Sequence, residues 1–310
     1  MIENNAIATG NIRNFPAALQ PIIQQGFLER EFLSALNSRL SYRMCADRRD
    51  VGAGIGETVT INGCAITLNH YAAITDLNMV TSRVGIASQF LLNAAINGEQ
   101  ASRSLDELAR NALFQTYLKM PILRPNDRAT MNDLQDGDLF TMGLLLNAVA
   151  QLRQAEVPEI DGVYNCYLDP ISARQLFADH DFRQLFHGAT SANQVFQRGM
   201  INDFLGLRFI PTTEAYVQSH PSLAGKVVRR PIIVGYGALI EGDFAAMHAA
   251  EIRPDDALVS VIDGVAMVTR EPIDRLQQII AQSWYWIGGF GCPANAEGKH
   301  TRAVVLEHVA

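Results

Sequence analysis

His180 and His187 stand seven residues apart, and Asp179 and Asp181 flank the first of them. Imidazole beside carboxylate is the pairing that both proton transfer and metal ligation use. A helical spacing of seven puts both rings on one face, but no third ligand accompanies them. Asp179 and Asp181, neighbours of one helical residue, point apart, so no paired-carboxylate chemistry follows. A solvent-facing or capping role fits these histidines better than metal ligation. Asp47-Arg48-Arg49-Asp50 is a dense charge cluster, read as a solvated or inter-subunit ion-pair patch. Gly52-Ala53-Gly54-Ile55-Gly56 invites comparison with a phosphate loop. It lacks the third glycine of GxGxxG and the GK[ST] ending, and it precedes a strand instead of a helix, so it reads as a hinge. Cys45, Cys64, Cys166 and Cys292 are far apart with no CxxC pair, against the paired spacing of a zinc site. Cys166 sits in an apolar strand as a small core residue. GxSxG, HExxH and Walker motifs are missing from the sequence. No catalytic, cofactor-binding or metal-ligating residue is therefore expected.

The elements that would hold such residues are clear enough to place. Phe27 to Leu40 sets Leu28, Phe32, Leu36 and Leu40 at steps of four, a narrow stripe on a helix. Glu57 to Ile61 and Cys64 to Leu68 flank Asn62-Gly63, a two-residue hairpin signal. If Ile61 pairs with Cys64, Val59 faces Ile66 and Thr58 faces Thr67, giving one apolar and one threonine face. A helical piece reaches about Ile96, where Asn97-Gly98 allows a break. A second helix opens with the capping box Ser104-Leu105-Asp106-Glu107 and ends before Pro121. Asp138 reads as a cap before an apolar helix from Leu139 to Leu152. Tyr164 to Leu168 reads as a buried strand, and Asp169-Pro170 as a helix start with an N-cap followed by proline. Two short helical pieces, around Arg174–Phe177 and Phe182–Phe186, precede a Gly-led strand from Leu207 to Thr213. Further strands are expected at Pro231–Tyr236, Trp284–Ile287 and Ala303–Leu306.

Composition bounds the class. The 310 residues suffice for two domains, or one with long extensions, and 48% apolar residues mark a globular chain. Charged residues are only 18%, below the roughly 25% of an average soluble protein, which suits a surface largely covered by neighbours. A net charge of -7 argues against a nucleic-acid reader with a concentrated basic face. Arginine supplies 22 of the 25 basic side chains, and Lys119, Lys226 and Lys299 are the only lysines. Arginine suits planar contacts across interfaces, although genomic base composition gives the same bias. The opening residues Met1 to Asn5 lack a basic-then-apolar pattern, so no signal peptide is expected. No apolar run approaches the roughly 20 residues of a membrane span, and a reducing cytoplasm is the expected site of synthesis.

The order of strand, helix, broken helix and Gly-led strand over Asn165 to Thr213 resembles the axial domain of tailed-phage major capsid proteins of the Hong Kong 97-type fold. Asp76 to Arg83, Ser104 to Asn111 and Asn202 to Gly206 are similar to coat proteins of large podoviruses and their relatives. The resemblance implies an α+β fold with an N-terminal arm over 1–49 and an extended loop, here a short hairpin, over 50–69. It implies a peripheral domain with a long spine helix over 70–137 and 262–310, and an axial domain over 138–261. It also implies self-assembly into hexamers and pentamers of an icosahedral shell around double-stranded DNA, located in the virion. Scaffold, portal and decoration proteins would be the partners, with no cofactor, no membrane and no sequence-specific DNA contact. Leu28, Phe32, Leu36, Leu40, Val59, Ile61 and Ile66 are the expected inter-subunit contacts. In some members of this fold a lysine of the extended loop attacks an asparagine of another subunit; residues 50–69 contain no lysine. Relatives carry a longer extended loop and often a β-rich insertion after the spine helix, and this chain has neither. An encapsulin-like cellular shell and an unrecognised α+β enzyme are the alternative readings.

Overall fold

A computed structural model of the chain describes residues 19–24, 26–38, 40–50, 58–61, 64–78, 86–189, 203–243, 257–270, 278–295 and 297–310. Helices α1 (Gln20–Gln24) and α2 (Phe27–Asn37) open it, followed by strands β1 (Ala46–Asp50), β2 (Thr58–Ile61), β3 (Cys64–Thr67) and β4 (Asn69–Asn78). The long helix α3 (Ile86–Gln115) leads through β5 (Ile122–Leu123) to α4 (Met142–Gln154), β6 (Tyr164–Leu168), α5 (Pro170–Ala178) and α6 (His180–Ala189). Then come β7 (Asp203–Phe204), β8 (Leu207–Pro211), β9 (Tyr216–Ser219), β10 (Val227–Arg230), β11 (Ile232–Val234) and β12 (Leu239–Asp243). The last strands are β13 (Ala257–Ile262), β14 (Val265–Arg270), β15 (Ile279–Gly291), β16 (Ala303–Leu306) and β17 (His308–Val309).

These elements build two main sheets. The first runs β1-β12-β15-β14-β13, with β4 along β15; the second runs β5-β16-β11-β6-β8-β7. A three-stranded sheet β17-β10-β9 and the ribbon β2-β3 complete the set. Alternation along β15 sends Ile280, Trp284 and Trp286 into a core with Phe90, Ala94, Ala101 and Leu105 of α3. The second sheet lays Cys166, Leu168, Ile233 and Val304 against Leu145, Ala148 and Leu152 of α4. A third core, holding Tyr42, Leu113, Tyr167 and Leu239, lies where the C-terminal half of α3 meets both sheets.

Several expectations meet their residues directly. Thr58 pairs with Thr67, Val59 with Ile66, and Ile61 with Cys64, the register that an Asn-Gly turn dictates. The turn residues Asn62-Gly63 and the glycine run from Gly52 to Gly56 lie outside the described residues. Asp169 caps α5 by accepting from the backbone N–H groups of Ile171 (3.1 Å) and Ser172 (3.3 Å), with Pro170 in the first turn. Leu205 and Gly206 take positive φ values of 56° and 77°, making the turn that leads into β8.

Other expectations need correction. Asn97-Gly98 does not break a helix, because α3 runs 30 residues through it and through Ser104. A Cβ on Gly98 would lie 2.6 Å from the Phe32 carbonyl oxygen and 2.8 Å from the Ala35 Cβ, so the glycine is where α2 crosses α3. Asn97 is fully buried and accepts from the Thr75 hydroxyl at 2.8 Å, while its amide donates to the Gln282 carbonyl at 3.3 Å. Asp138 does not cap α4, whose first turn begins four residues later. Asp179 and Gln175 reach across instead and accept from the N–H groups of Met142 (2.8 Å) and Phe140 (2.9 Å). Asp138 ties its own loop together, accepting from the amide of Asn126 and the guanidinium of Arg128. The division at 138 and 262 is also crossed by strands. β12 follows β11 after a four-residue turn and enters the first sheet, while β16 returns to the second. β1, from the expected arm, pairs in parallel with β12.

Candidate functional site

Ser172, Asp169 and His308 form the grouping that most resembles catalytic machinery. The Ser172 Oγ donates to Asp169, and the His308 Nε2 lies 2.7 Å from the same Oγ. In a working triad the imidazole stands between nucleophile and carboxylate, so that it can take the hydroxyl proton. Here the hydroxyl stands in the middle, with its hydrogen bond given to the carboxylate. Ser172 and His308 are fully buried, out of reach of a substrate. Arg229 completes the group with an ion pair of 2.7 Å to Asp169. Burial above all holds the His308 imidazole well below its ordinary value, at about 4, and the Arg229 charge adds to this. The arrangement fastens the start of α5 to β10 and β17.

The sequence-level candidates distribute as follows. His180 is exposed beside an exposed Asp181, the two 3.6 Å apart, and His187 lies further along the same helix α6. Asp179 is spent on the start of α4. The charge cluster is strand β1, and its arginines pair within the chain: Arg49 with Asp47 at 2.7 Å, Arg48 with Asp263 at 2.7 Å. Burial pushes the thiols of Cys45 and Cys292 up to about 12, which leaves them protonated and unreactive. Among the described residues no group of His, Cys, Asp and Glu could hold a metal ion, and no helix is long and apolar enough to cross a membrane.

The expected contact stripe on α2 faces inward. Leu28, Phe32 and Leu36 are 2%, 0% and 0% exposed in one core with α3 and β15, and Leu40 packs against that core. A side chain with no accessible surface has none left for a second subunit, so Leu28, Phe32 and Leu36 serve the core of their own chain, while Leu40 stays partly exposed. Gly98 of α3 lets α2 approach closely along this stripe. Ile66 is likewise 1% exposed, clustered with Cys64 and Ile240 of its own chain. Gly289 and Gly291 of β15 make this possible: a Cβ on either would run into Ile66 or Cys64. Val59 and Ile61 pair with Ile66 and Cys64 in the ribbon. Large apolar side chains that do face outward are Met44, Ile74 and Leu118, at 73%, 70% and 75% exposed.

Charged joints, none of them anticipated, hold the two sheets. Arg43 and Glu241, 3% and 1% exposed, meet at 2.6 Å. Asp263 adds its carbonyl to Arg43 at 3.0 Å and its carboxylate to Arg48. Glu307, 1% exposed, receives Arg230 at 2.7 Å and Arg124 at 2.7 Å, and the Arg230 guanidinium lies over the rings of Tyr117 and Tyr216. Asp106, expected in a capping box, instead accepts from the N–H groups of Ser41 (2.8 Å) and Arg43 (3.1 Å). Desolvation raises its pKa despite those hydrogen bonds. One signal was available in sequence: Asp263-Gly264, both at positive φ, is the two-residue turn of the β13–β14 hairpin.

No family model and no curated protein matches the chain. Solved structures do. The capsid of cyanophage P-SCSP1u superposes with a TM-score of 0.52 at 11% identity, covering 86% of this chain and 87% of that one. The head of Helicobacter pylori bacteriophage KHP40 gives 0.51 at 10% identity, over 79% of this chain and 76% of that one. The mature capsid of bacteriophage PhiM1 gives 0.50 at 12% identity, over 86% of both chains. With its α+β order, long central helix and two sheets, the chain has the Hong Kong 97-type fold of phage capsid subunits.

Proposed function

We propose that this chain is a major capsid protein, assembling with copies of itself into an icosahedral head shell around the double-stranded DNA of a tailed phage. The observation that carries the reading is a likeness to phage head subunits that spans 86% of the chain. The buried polar groups agree with it, because their geometry joins elements and offers no reacting centre. In this reading α3 is the spine of the peripheral part, the ribbon β2–β3 is the extended loop, and α4 to β11 form the body of the axial part. The arm is folded into its own subunit. Scaffold, portal and decoration proteins are the partners such a shell would use. Contacts between copies then fall to outward apolar side chains such as Met44, Ile74 and Leu118.

Negative-stain electron microscopy of the expressed chain, alone and with candidate scaffold, tests this. Hollow polyhedra are expected. A protein that stays monomeric under every assembly condition and binds a small molecule would overturn the reading. Ile74→Asp and Leu118→Asp should leave the circular dichroism of the subunit unchanged and suppress particles, since both side chains point away from its core.

A further inference from the structure

Strand β4 is an edge of the first sheet. Tyr285 of β15 pairs with Ala266 of β14 on one side and with Ala72 of β4 on the other; Gly288 stands in the same way between Asp243 of β12 and Asn69 of β4. Beyond β4 no further strand follows among the described residues. At ten residues it is the longest edge of this sheet, against six for β13 and five for β1. A free edge offers unpaired N–H and C=O groups to any other strand, and proteins blunt it with charge, proline, a bulge or a short strand. β1 is blunted, because Asp47-Arg48-Arg49-Asp50 is charged throughout. β4 is not: it holds no proline, lysine or arginine, and it pairs with β15 residue for residue from Asn69 to Asn78, without a bulge.

We propose that the free edge of β4 pairs with the same edge of a second copy, antiparallel about a two-fold axis at Ala73. This deepens the reading of the chain as a self-assembling subunit and rests on it. Alternation turns His70, Ala72, Ile74 and Asp76 outward, while Tyr71, Ala73 and Leu77 face the core and Thr75 meets Asn97 of α3. One continuous sheet across both copies requires outward residues to meet outward ones, so the axis falls at a residue and not between two. At Ala73 it sets Asp76 opposite His70 of the second copy, and symmetry repeats the pair. Ile74 then meets Ala72, and Tyr71 meets Thr75. An axis at Ala72 would set Asp76 opposite Leu68, one at Ile74 would set it opposite Ala72, and one at Asp76 would oppose two carboxylates. Opposite charges across neighbouring strands favour a register and like charges disfavour it, which selects Ala73. Both groups are available: His70 and Asp76 are exposed and in no ion pair among the described residues. The His70 ring, 5.8 Å from that of Tyr285, is stacked on the outward face.

The test mixes two variants of the full chain, His70→Cys and Asp76→Cys, under assembly conditions with mild oxidation. The mixture should give a covalent dimer on a non-reducing gel. Either variant alone should not, because like positions lie far apart along the pair, and neither should the wild type with its own Cys45, Cys64, Cys166 and Cys292. In a second measurement, His70→Glu should raise the concentration needed for half-association about tenfold, since two carboxylates then face each other at both ends. Adding Asp76→Lys should restore it. No dimer from the mixture, or association indifferent to His70→Glu, would overturn the pairing, and particles in micrographs of the same sample would leave the shell reading standing. Covalent dimers without particles would uphold the pairing and sink the shell. Should His70→Glu misfold, the cysteine mixture decides alone.

Discussion

Gly98 is a single residue on which the packing of two helices depends. Alanine in place of a mid-helix glycine gains about 1 kcal/mol of helix propensity. The added Cβ would meet the Phe32 carbonyl at 2.6 Å, a backbone atom that no rotamer change can move. Overpacking costs typically about 1–3 kcal/mol, so Gly98→Ala should come out near neutral to mildly destabilising, and Gly98→Val clearly destabilised. Chemical denaturation of both variants measures this; a stabilised Gly98→Val would mean that α2 does not sit on α3. The Arg43–Glu241 pair makes a second residue-level case. Removing one member of a buried pair strands the other charge and costs about 3–5 kcal/mol, whereas replacing both with apolar groups of similar volume is often tolerated. Glu241→Ala should therefore lower the denaturation midpoint more than Arg43→Met combined with Glu241→Leu. Equal or additive losses would show that the two charges are not coupled.

At the scale of elements, local signals were legible where local chemistry decides the outcome. The Asn-Gly turn set the ribbon register, Asp169-Pro170 set the start of α5, and the apolar run Tyr164–Leu168 marked β6. Which partner covers an apolar face is not written in local signals. The spacing of Leu28, Phe32, Leu36 and Leu40 gives a stripe; whether α3 or another subunit covers it depends on Gly98 and Trp284, distant in sequence. Asn97-Gly98 has the same cause: a pair that ends helices in isolation is held helical by tertiary contacts on both residues. The joints at Glu241 and Glu307 join residues that are 198 and 77 or more positions from their partners, with no periodic trace. Two outcomes follow from the corrected faces. Leu19, Ile23, Leu28, Phe32 and Leu36 are all buried, and at roughly 1.5–3 kcal/mol each their loss rivals a typical net stability of 5–15 kcal/mol. Deleting residues 1–40 should yield an aggregated or protease-sensitive chain, read by limited proteolysis; a soluble, resistant product would return α2 to the role of an inter-subunit arm. Ile66→Ser should loosen the ribbon from β15 by about 2–3 kcal/mol within the isolated subunit. Faster amide exchange across β2–β3 in unassembled protein would show it, and unchanged exchange there would refute it.

For the whole molecule, the proposed function turns on what would hold copies together once each is folded. The lysines are few, and two of them are occupied: Lys226 pairs with Asp136, and Lys299 with Glu297 at 3.3 Å. The ribbon and the strands around it, the part that would reach over a neighbour, contain no lysine between positions 50 and 69. An isopeptide bond needs an unprotonated amine brought against a side-chain amide in a site that excludes water, and this region has no amine to supply. On the proposed reading a shell of this chain would rest on non-covalent contacts, with outward apolar side chains such as Met44, Ile74 and Leu118 as the available means. Contacts of that kind are weak singly and become strong by repetition over a closed surface. Mature particles boiled in denaturant should therefore run as one band near 34.1 kDa. A ladder of covalent multimers that survives reducing agent would show that an amine elsewhere, Lys119 foremost, takes the role that the ribbon cannot.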